Sequence, residues 1–357
     1  MPSPPPLNAA SSPDDTRPRT AVLMQHAGMG DLVWHVQYFR RVAEGSRDGQ
    51  VTVITPPSTL ARELIGHEPW VREVIDFDRR PRRSEKRSGR HSGLLGLWRM
   101  GMELRSRRLE RIALFTTHPG RALVSCLLAG IGQRLGYGST WLQRRLLTTT
   151  PWITRYRGPA LPPYKDATAF AIAQGWTDAP IVPRLAARAD ALERMRERLA
   201  ALPRPLHAFA IGASEPYKQW GDANFAELAT TLARQGHGVL MLGGPGESEL
   251  ADKILARLAP EHRARVMAVT RGTVAETVAA MALVDACVGN DTGATNIAAA
   301  MGRPTVVLLG AGKPLEHDPQ AMQLLRSARL SDITPPEVAQ HAAHSLARAG
   351  AARTEAP

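Results

Sequence analysis

From Thr20 to about residue 310, short runs rich in Val, Ile and Leu alternate with longer stretches whose apolar residues recur at helical spacing. This rhythm constrains the fold most, because a buried strand, a helix and another buried strand form the repeating unit of a helix-covered parallel sheet. In the first half the strand-like runs are 21–26, 51–55, 74–77, 112–115 and 134–136, separated by helical patterns at 31–43, 58–64, 94–108 and 120–129. A stretch punctuated by Pro159, Pro162, Pro163, Pro180, Pro183, Pro203 and Pro205 interrupts it. The rhythm then restarts, with strands 207–211, 239–243, 266–268, 286–289 and 305–309 and helices 224–235, 247–258, 273–282 and 293–301. The expected fold class is therefore α/β, with two facing Rossmann-like, doubly wound parallel sheets. The expected plan is a disordered tail at 1–18, a first domain at 19–175, a linker region at 176–204 and a second domain at 205–334. A closing helix and tail at 335–357 are expected to pack back on the first domain.

Composition narrows the class further. With 357 residues, 43% hydrophobic and 22% charged, the chain has globular composition and room for two domains. The Pro- and Ser-rich opening MPSPPPLNAASSPDDTRP has no apolar stretch suited to a signal peptide, and no later run approaches the roughly 18 to 20 apolar residues of a membrane span. A soluble or peripheral protein is expected. Cys126 and Cys287 lie far apart within apolar patterns, which suits buried thiols in a reducing cytoplasm. The cysteines and scattered histidines show no metal-ligand spacing, so neither a metal nor another cofactor is expected.

The net charge of +12 is uneven: from Arg79 to Arg90, RRPRRSEKRSGR holds seven Lys or Arg against one Glu, and Arg99, Arg105, Arg107, Arg108 and Arg111 extend the bias. Such a run suits anionic lipid headgroups or a phosphorylated substrate, and equally a solvated loop. Without interleaved aromatics or a helix-turn-helix, zinc-finger or RNA-recognition pattern, nucleic acid is not an expected partner.

In open α/β sheets ligands bind beyond the carboxyl ends of the strands, so the loops after strands carry the chemistry. Four stand out. In HAGMGDLVWH, Gly28 and Gly30 permit a tight turn, but Val33 stands where a dinucleotide fingerprint needs its third Gly, and no acidic residue closes the second strand. What remains is a turn presenting Asp31 at a helix start, as a helix cap or as a general base. In IGASEPYKQW, Gly212, Ala213 and Ser214 let a ligand approach the backbone and Lys218 offers a point charge for phosphate, although an exposed loop lysine needs no such role. In LGGPGESE, Glu247 begins a helix, where it complements the helix dipole or accepts ribose hydroxyls. The fourth, CVGNDTGATNIAAAMGRPTVVLLG, is the most specific. Asn290, Asp291, Thr292 and Gly293 lead into a small-residue helix whose unpaired N–H groups and positive dipole end form an anion site suited to a diphosphate. Asp291 suits holding that turn or bonding a transferred sugar.

In this order the loops resemble glycosyltransferase family 9, the heptosyltransferases of the lipopolysaccharide inner core, over roughly residues 20–349. The resemblance rests on G-x-G-D at Gly28–Asp31, K-x-W at Lys218–Trp220, and D-T-G followed by A-A-x-G-x-P-x-x-x-L-x-G at Asp291–Gly293 and Ala299–Gly310. ALFTTHPGRALVSCLLAGIGQRLGY and RLSDITPPEVAQHA are similar to further stretches of the family. It implies a GT-B fold with the acceptor on the first domain and the nucleotide-sugar on the second, and inverting, metal-independent transfer. By the same resemblance Asp31 matches the general base, Lys218 the donor-phosphate lysine, Glu247 the ribose ligand, and Asp291, Thr292 and Gly293 the donor loop, with Gly28, Gly30 and Ser214 in the acceptor and loop set.

The implied donor is ADP-heptose. The implied acceptor is an anionic, phosphorylated lipopolysaccharide-core glycolipid, and the implied location is cytoplasmic, peripheral on the inner membrane through Arg79 to Arg90. Two positions depart from the family: Asn296 stands where it usually has His, so this donor-loop side chain hydrogen-bonds without carrying charge, and Gln37 stands where it commonly has Pro. A nucleotide-sugar epimerase or hydrolase, or a non-catalytic sugar-nucleotide-binding relative, remain the alternative readings.

Overall fold

The computed structural model describes residues 15–79, 87–153, 165–312 and 318–354. The chain divides into two compact units, Met1–Ile181 and Val182–Pro357.

The first unit alternates β1 (Thr20–Met24), α1 (Met29–Glu44), β2 (Val51–Thr55), α2 (Ala61–Ile65), β3 (Val71–Asp76), α3 (Gly93–Ser106), β4 (Arg111–Phe115), α4 (Gly120–Ala129) and β5 (Gln133–Gly136). Short helices α5 (Trp141–Leu146) and α6 (Lys165–Ala173) follow. The strands pair in parallel in the order β3-β2-β1-β4-β5. Strands β1 and β2 are buried at every position, whereas edge strands β3 and β5 are not, as expected for a sheet covered on both faces. Leu23, Ile54, Ile112 and Leu114 meet Met100, Leu104, Leu123 and Cys126 of α3 and α4 in one core. On the other face α1 buries Leu32, Val36 and Phe39, each contributing about 1.5–3 kcal/mol. The Tyr38 and Thr168 hydroxyls bond at 2.7 Å and tie α6 to α1.

The second unit contains α7 (Ala189–Leu199), β6 (Leu206–Ala210), α8 (Asp222–Arg234), β7 (Gly238–Leu242), α9 (Ser248–Ala256), α10 (Pro260–Arg263) and β8 (Val266–Val269). It continues through α11 (Val274–Leu283), β9 (Ala286–Asn290), α12 (Gly293–Ala300), β10 (Thr305–Leu309), β11 (Met322–Arg326) and α13 (Pro335–Thr354). Its strands are again parallel, ordered β11-β10-β9-β6-β7-β8. Phe209, Val239, Met241 and Val288 form its core with Phe225, Leu228 and Leu232 of α8, and α13 packs on α8, β9 and β10.

Every strand expected from the sequence is present within a few residues of its place, and β11 and four short helices were not foreseen. Unit division falls at Ile181/Val182, inside the stretch read as a linker, much of which is α7, packed on α11. Of the tail at 1–18, residues 1–14 lie outside the described residues. Arg17 and Pro18 are tied to the body, with Arg17 Nη1 donating to Glu44 O at 2.8 Å and Arg47 N donating to Pro18 O at 3.1 Å. Both cysteines are free and buried, and burial pushes each thiol up to about 12. No helix among the described residues is long and apolar enough to cross a membrane.

In each sheet the strand order reverses once, between β1 and β4 and between β6 and β9. Connections leave to opposite faces at such a switch point, opening a crevice beyond the strand ends where ligands bind.

Candidate functional site

In the second unit the switch point brings the loops after β6 and β9 together, and Asn290 joins them. It ends β9 fully buried, its Nδ2 donating to Ile211 O and Gly212 O, both at 3.0 Å, while its Oδ1 accepts from Trp220 N at 3.2 Å. Gly289, one residue earlier, must be Gly: a Cβ there would meet Ala210 Cβ at 2.5 Å and Ala210 O at 2.6 Å. The two strands thus approach closely where their loops begin. Trp220 is buried against Phe225 and donates its indole N–H to Ile333 O at 2.9 Å, which anchors the far end of the β6 loop.

These anchors place Lys218, at the end of the 3₁₀ turn Pro216–Lys218, with its ammonium 2.9 Å from Asp291 Oδ2. Partial burial pulls the lysine pKa down, but the hydrogen bond and charge of Asp291 outweigh it and hold the pKa above its ordinary value. Thr292 caps α12. Its backbone N–H donates to Thr295 Oγ1 at 3.3 Å, and the Thr295 hydroxyl donates to Thr292 O at 2.8 Å. The Thr292 Oγ1 itself is buried without a hydrogen-bond partner among the described residues, at a helix start whose first amides favour an anion. Asn296 is buried and donates Nδ2 to Thr292 O at 2.7 Å, so this side chain braces the helix start.

After β7, Glu247 closes a turn: its Oε2 accepts Gly244 N–H at 2.7 Å. A Cβ on Gly212 would lie 3.6 Å from Glu247 Cδ, so the carboxylate stands beside the β6 loop, two residues past the strand. Ser214 is exposed in that loop. Lys218, Glu247, Asp291, Thr292, Gly293 and Asn296 therefore all lie in loops beyond β6, β7 and β9 or at the start of α12, at one end of one sheet.

In the first unit Gly28 precedes α1, and Asp31 reaches back so that its Oδ2 accepts Gly28 N–H at 2.8 Å. A Cβ at Gly28 would sit 2.9 Å from that oxygen. His35, one turn on, is fully buried and bonds Asp31 O at 2.7 Å through Nδ1, and burial drives its pKa down to about 3, so the ring is neutral.

A cavity of about 710 Å³ opens at the same end of this sheet, lined by Gln25 and His26 after β1 and by Thr116–His118 after β4. Arg79, Arg121 at the start of α4, Thr140 just ahead of α5 and Gln143 within it complete its polar wall, and among the described residues no acidic side chain lines it. Gln143 Nε2 donates to Thr117 O at 3.0 Å and so fixes α5 to the β4 loop. The sequence assigned no role to these cavity residues one by one: Arg79 fell in the basic run, His26 opened the first glycine loop, and Thr116–His118 and Arg121 lay in the stretch ALFTTHPGRALVSCLLAGIGQRLGY that is similar to the family. The basic run is described only at Arg79 and from Arg87 onward; residues 80–86 lie outside the described residues.

Comparison with known proteins fits this arrangement. The profile of glycosyltransferase family 9 (heptosyltransferase) matches residues 98–332, a stretch that holds Lys218, Glu247 and 291–296 and begins after Asp31. The chain is 26% identical over 314 residues to lipopolysaccharide heptosyltransferase 2 of Escherichia coli (strain K12), covering 83% of this chain and 86% of that one. It is 33% identical over 166 residues to the enzyme of the same name from Salmonella typhimurium, covering 40% of this chain and about half, 47%, of that relative. Among solved structures, the E. coli ADP-heptose lps heptosyltransferase II superposes with a TM-score of 0.70 at 24% identity, covering 93% of this chain and 99% of the other. The glycosyl transferase family 9 protein of Veillonella parvula DSM 2008 does so at 0.74 and 18%, covering 93% and 98%. At these identities the structures speak for the fold, the two-sheet GT-B class. With the profile spanning well over half of its length, the chain belongs to glycosyltransferase family 9 (heptosyltransferase).

Proposed function

We propose that this glycosyltransferase moves heptose from ADP-heptose to a phosphorylated lipopolysaccharide-core acceptor, with inversion and without a metal. The observation that carries the reading is the convergence of Lys218, the Asp291 carboxylate and the unpartnered Thr292 hydroxyl at the start of α12, beyond the switch point of the second sheet. A cation, a hydroxyl donor and helix amides in one place suit a diphosphate that gains charge as its bond to the sugar breaks, and preorganised donors of this kind are worth about 3 kcal/mol each in comparable sites. Glu247 suits the ribose hydroxyls. The name of the E. coli structure, an ADP-heptose enzyme, supports the choice of donor.

In this reading the acceptor hydroxyl gives its proton to Asp31, its oxygen bonds the anomeric carbon, and the bond to the diphosphate breaks with its electron pair leaving on ADP. A helix start favours the anionic carboxylate, so Asp31 orients the hydroxyl early and takes the proton late. The cavity, which has Arg79 and Arg121 and no acid among the described residues, suits the acceptor's phosphates, and the basic run from Arg79 to Arg90 suits contact with an anionic inner leaflet, a reading in keeping with a cytoplasmic location.

The test is transfer itself. Purified protein is incubated with ADP-, UDP- or GDP-sugars and truncated lipopolysaccharide, with and without EDTA, and products are read by mass spectrometry. Heptose transfer from ADP-heptose, insensitive to EDTA and lowered about 10²- to 10⁴-fold in Asp31→Ala, is expected. Near-normal transfer by a folded Asp31→Ala protein would remove Asp31 from the mechanism, and transfer from another donor alone would overturn the donor assignment.

A further inference from the structure

Of the eleven large hydrophobic side chains exposed among the described residues, nine lie on α3, α4 and α5; the others are Leu60 and Tyr217. On α3, Leu94, Leu95, Trp98 and Met102 fall on one arc of the helix, while Gly96, Met100, Gly101 and Leu104 face the core. The helix is apolar on both sides, and only one side is covered. Helix α4 repeats this, burying Ala122, Leu123 and Cys126 and exposing Val124, Leu127 and Leu128.

The two helices are closely seated. A Cβ on Gly101 would meet Leu128 Cβ at 2.8 Å, and Ser125 Oγ donates to Leu97 O at 3.1 Å. Their exposed faces are therefore neighbours. Helix α5 adds Trp141, 69% exposed, and Leu142, and the latter also lines the 710 Å³ cavity. A soluble surface seldom carries so concentrated an apolar area without a partner.

Charge identifies the partner. Residues 79–108 hold eleven Lys or Arg against two Glu, and residues 111–165 hold eight against no acid at all. Arg99 and Arg105 of α3 and Arg144 and Arg145 of α5 are exposed, and Arg145 stacks over the Trp141 ring at 6.0 Å. Glu103 is occupied by His91, Arg90 and Arg107. Leucines and tryptophans bordered by unopposed arginines match an anionic bilayer surface, with indoles at the headgroup level and guanidinium groups among phosphates. A second copy of the same face would bring arginine against arginine, which disfavours self-association.

We propose that the outer face of α3, α4 and α5 is a membrane-docking surface that seats the first unit on an anionic phospholipid leaflet beside the mouth of its cavity. The inference shares with the proposed function only the expectation of an anionic leaflet. Its test uses vesicles without any sugar acceptor, so that docking and transfer fail independently.

Full-length protein is floated with vesicles of phosphatidylcholine alone and of phosphatidylcholine containing phosphatidylglycerol, at low and high salt. Binding is expected to the anionic vesicles and to weaken with salt. The double substitution Trp98→Glu and Leu127→Glu is expected to weaken it at least tenfold, and Arg144→Gln with Arg145→Gln by about fivefold per arginine with a flatter salt dependence. Brominated lipid is expected to quench tryptophan fluorescence, less so in Trp98→Phe with Trp141→Phe, a pair that still floats. All these side chains are exposed, and melting temperatures verify that each variant is folded. Failure of the native protein to float, or flotation of the glutamate variant at native affinity, would overturn the proposal. So would a native dimer in light scattering that the glutamates turn into monomer, since the face would then serve self-association.

Discussion

Replacing Asp291 by Asn separates two roles for this carboxylate with opposite signs. In the structure its Oδ2 holds the Lys218 ammonium at 2.9 Å, with the two side chains 10% and 25% exposed. If Lys218 is the phosphate ligand, a diphosphate competes with Asp291 for that ammonium and is repelled by the carboxylate. Asn keeps an oxygen acceptor for the lysine and removes the negative charge. With an effective dielectric constant of about 40 and a separation of roughly 6 Å, one unit charge repels another by about 1.4 kcal/mol, a factor of about ten in affinity. Salt screening over a Debye length of about 8 Å trims this to about threefold. Asp291→Asn is therefore expected to bind ADP about three- to tenfold more tightly in isothermal titration calorimetry, with a smaller gain in high salt. Its transfer is expected to slow, because the ammonium is less firmly aimed. Lys218→Met is expected to weaken ADP binding, and more severely in the Asp291→Asn background, where the lysine no longer has a carboxylate to satisfy. Weaker ADP binding by Asp291→Asn at an unchanged melting temperature would refute the reasoning and make Asp291 itself a ligand of the nucleotide. The comparison holds across neutral pH, because the pairing contribution of a lysine with a raised pKa is fully present below its ordinary value of 10.5 and fades only as pH climbs through the raised one.

Two further outcomes are expected. Gly28→Ala places a Cβ 2.9 Å from Asp31 Oδ2 at a backbone φ of −87°, which alanine adopts freely, so the carboxylate is displaced while the fold is kept. Transfer should fall about ten- to a hundredfold with the melting temperature nearly unchanged, and a native transfer rate would show that the position of Asp31 is immaterial. Acid should weaken both units, because burial holds His35 to about 3 and His207 to about 4, against an ordinary 6.5. The unfolded chain binds these protons first, so the stability is complete above about pH 6.5 and is lost as pH falls toward those values, by about 2 kcal/mol per histidine at pH 5. Urea midpoints at pH 8 and pH 5 measure this, and His207→Asn should remove part of the fall; equal midpoints at the two pH values would contradict it.

The strands of both sheets were legible because a parallel sheet covered on both faces writes each strand as an unbroken apolar run, as in Ala21–Met24 or Thr305–Leu309. Strand β11, MQLLR, lies at an edge, is only partly buried and lacks such a run. Helix α7 buries only Ala191, Met195 and Leu199 within a charged, proline-flanked stretch, and so read as linker. The candidate donor loops stood out because small residues, a hydroxyl and a cation follow strands in a recognisable order, and the structure gathers them at one end of the second sheet. Asn290 was not, since its task depends on β6 lying beside β9, a neighbourhood set by topology across some 79 positions of sequence. The cavity of the first unit was illegible for the same reason: its wall is drawn from residues 25 to 146, and no local motif joins them.

The departure at Asn296 gains a physical meaning from its neighbours. Where the family usually has His, this chain spends the side-chain amide on Thr292 O, four residues back, bracing the start of α12 rather than adding charge to it. The loops at 211–221, 243–248 and 290–296 contain one cation, Lys218, and Asp291 already engages it. Charge leaving on a diphosphate would then be met by a lysine shared with a carboxylate, by the buried Thr292 hydroxyl and by the first amides of α12. Of these, the amides and the hydroxyl are fixed by the helix and do not titrate, so the amide brace of Asn296 trades a titratable charge for a more rigid helix end. Such a site would rely on preorganised dipoles more than on counter-charge, which would make the packing of α12 on β9, and of β9 on β6 where Gly289 leaves no room for a Cβ, part of the electrostatics of the proposed reaction.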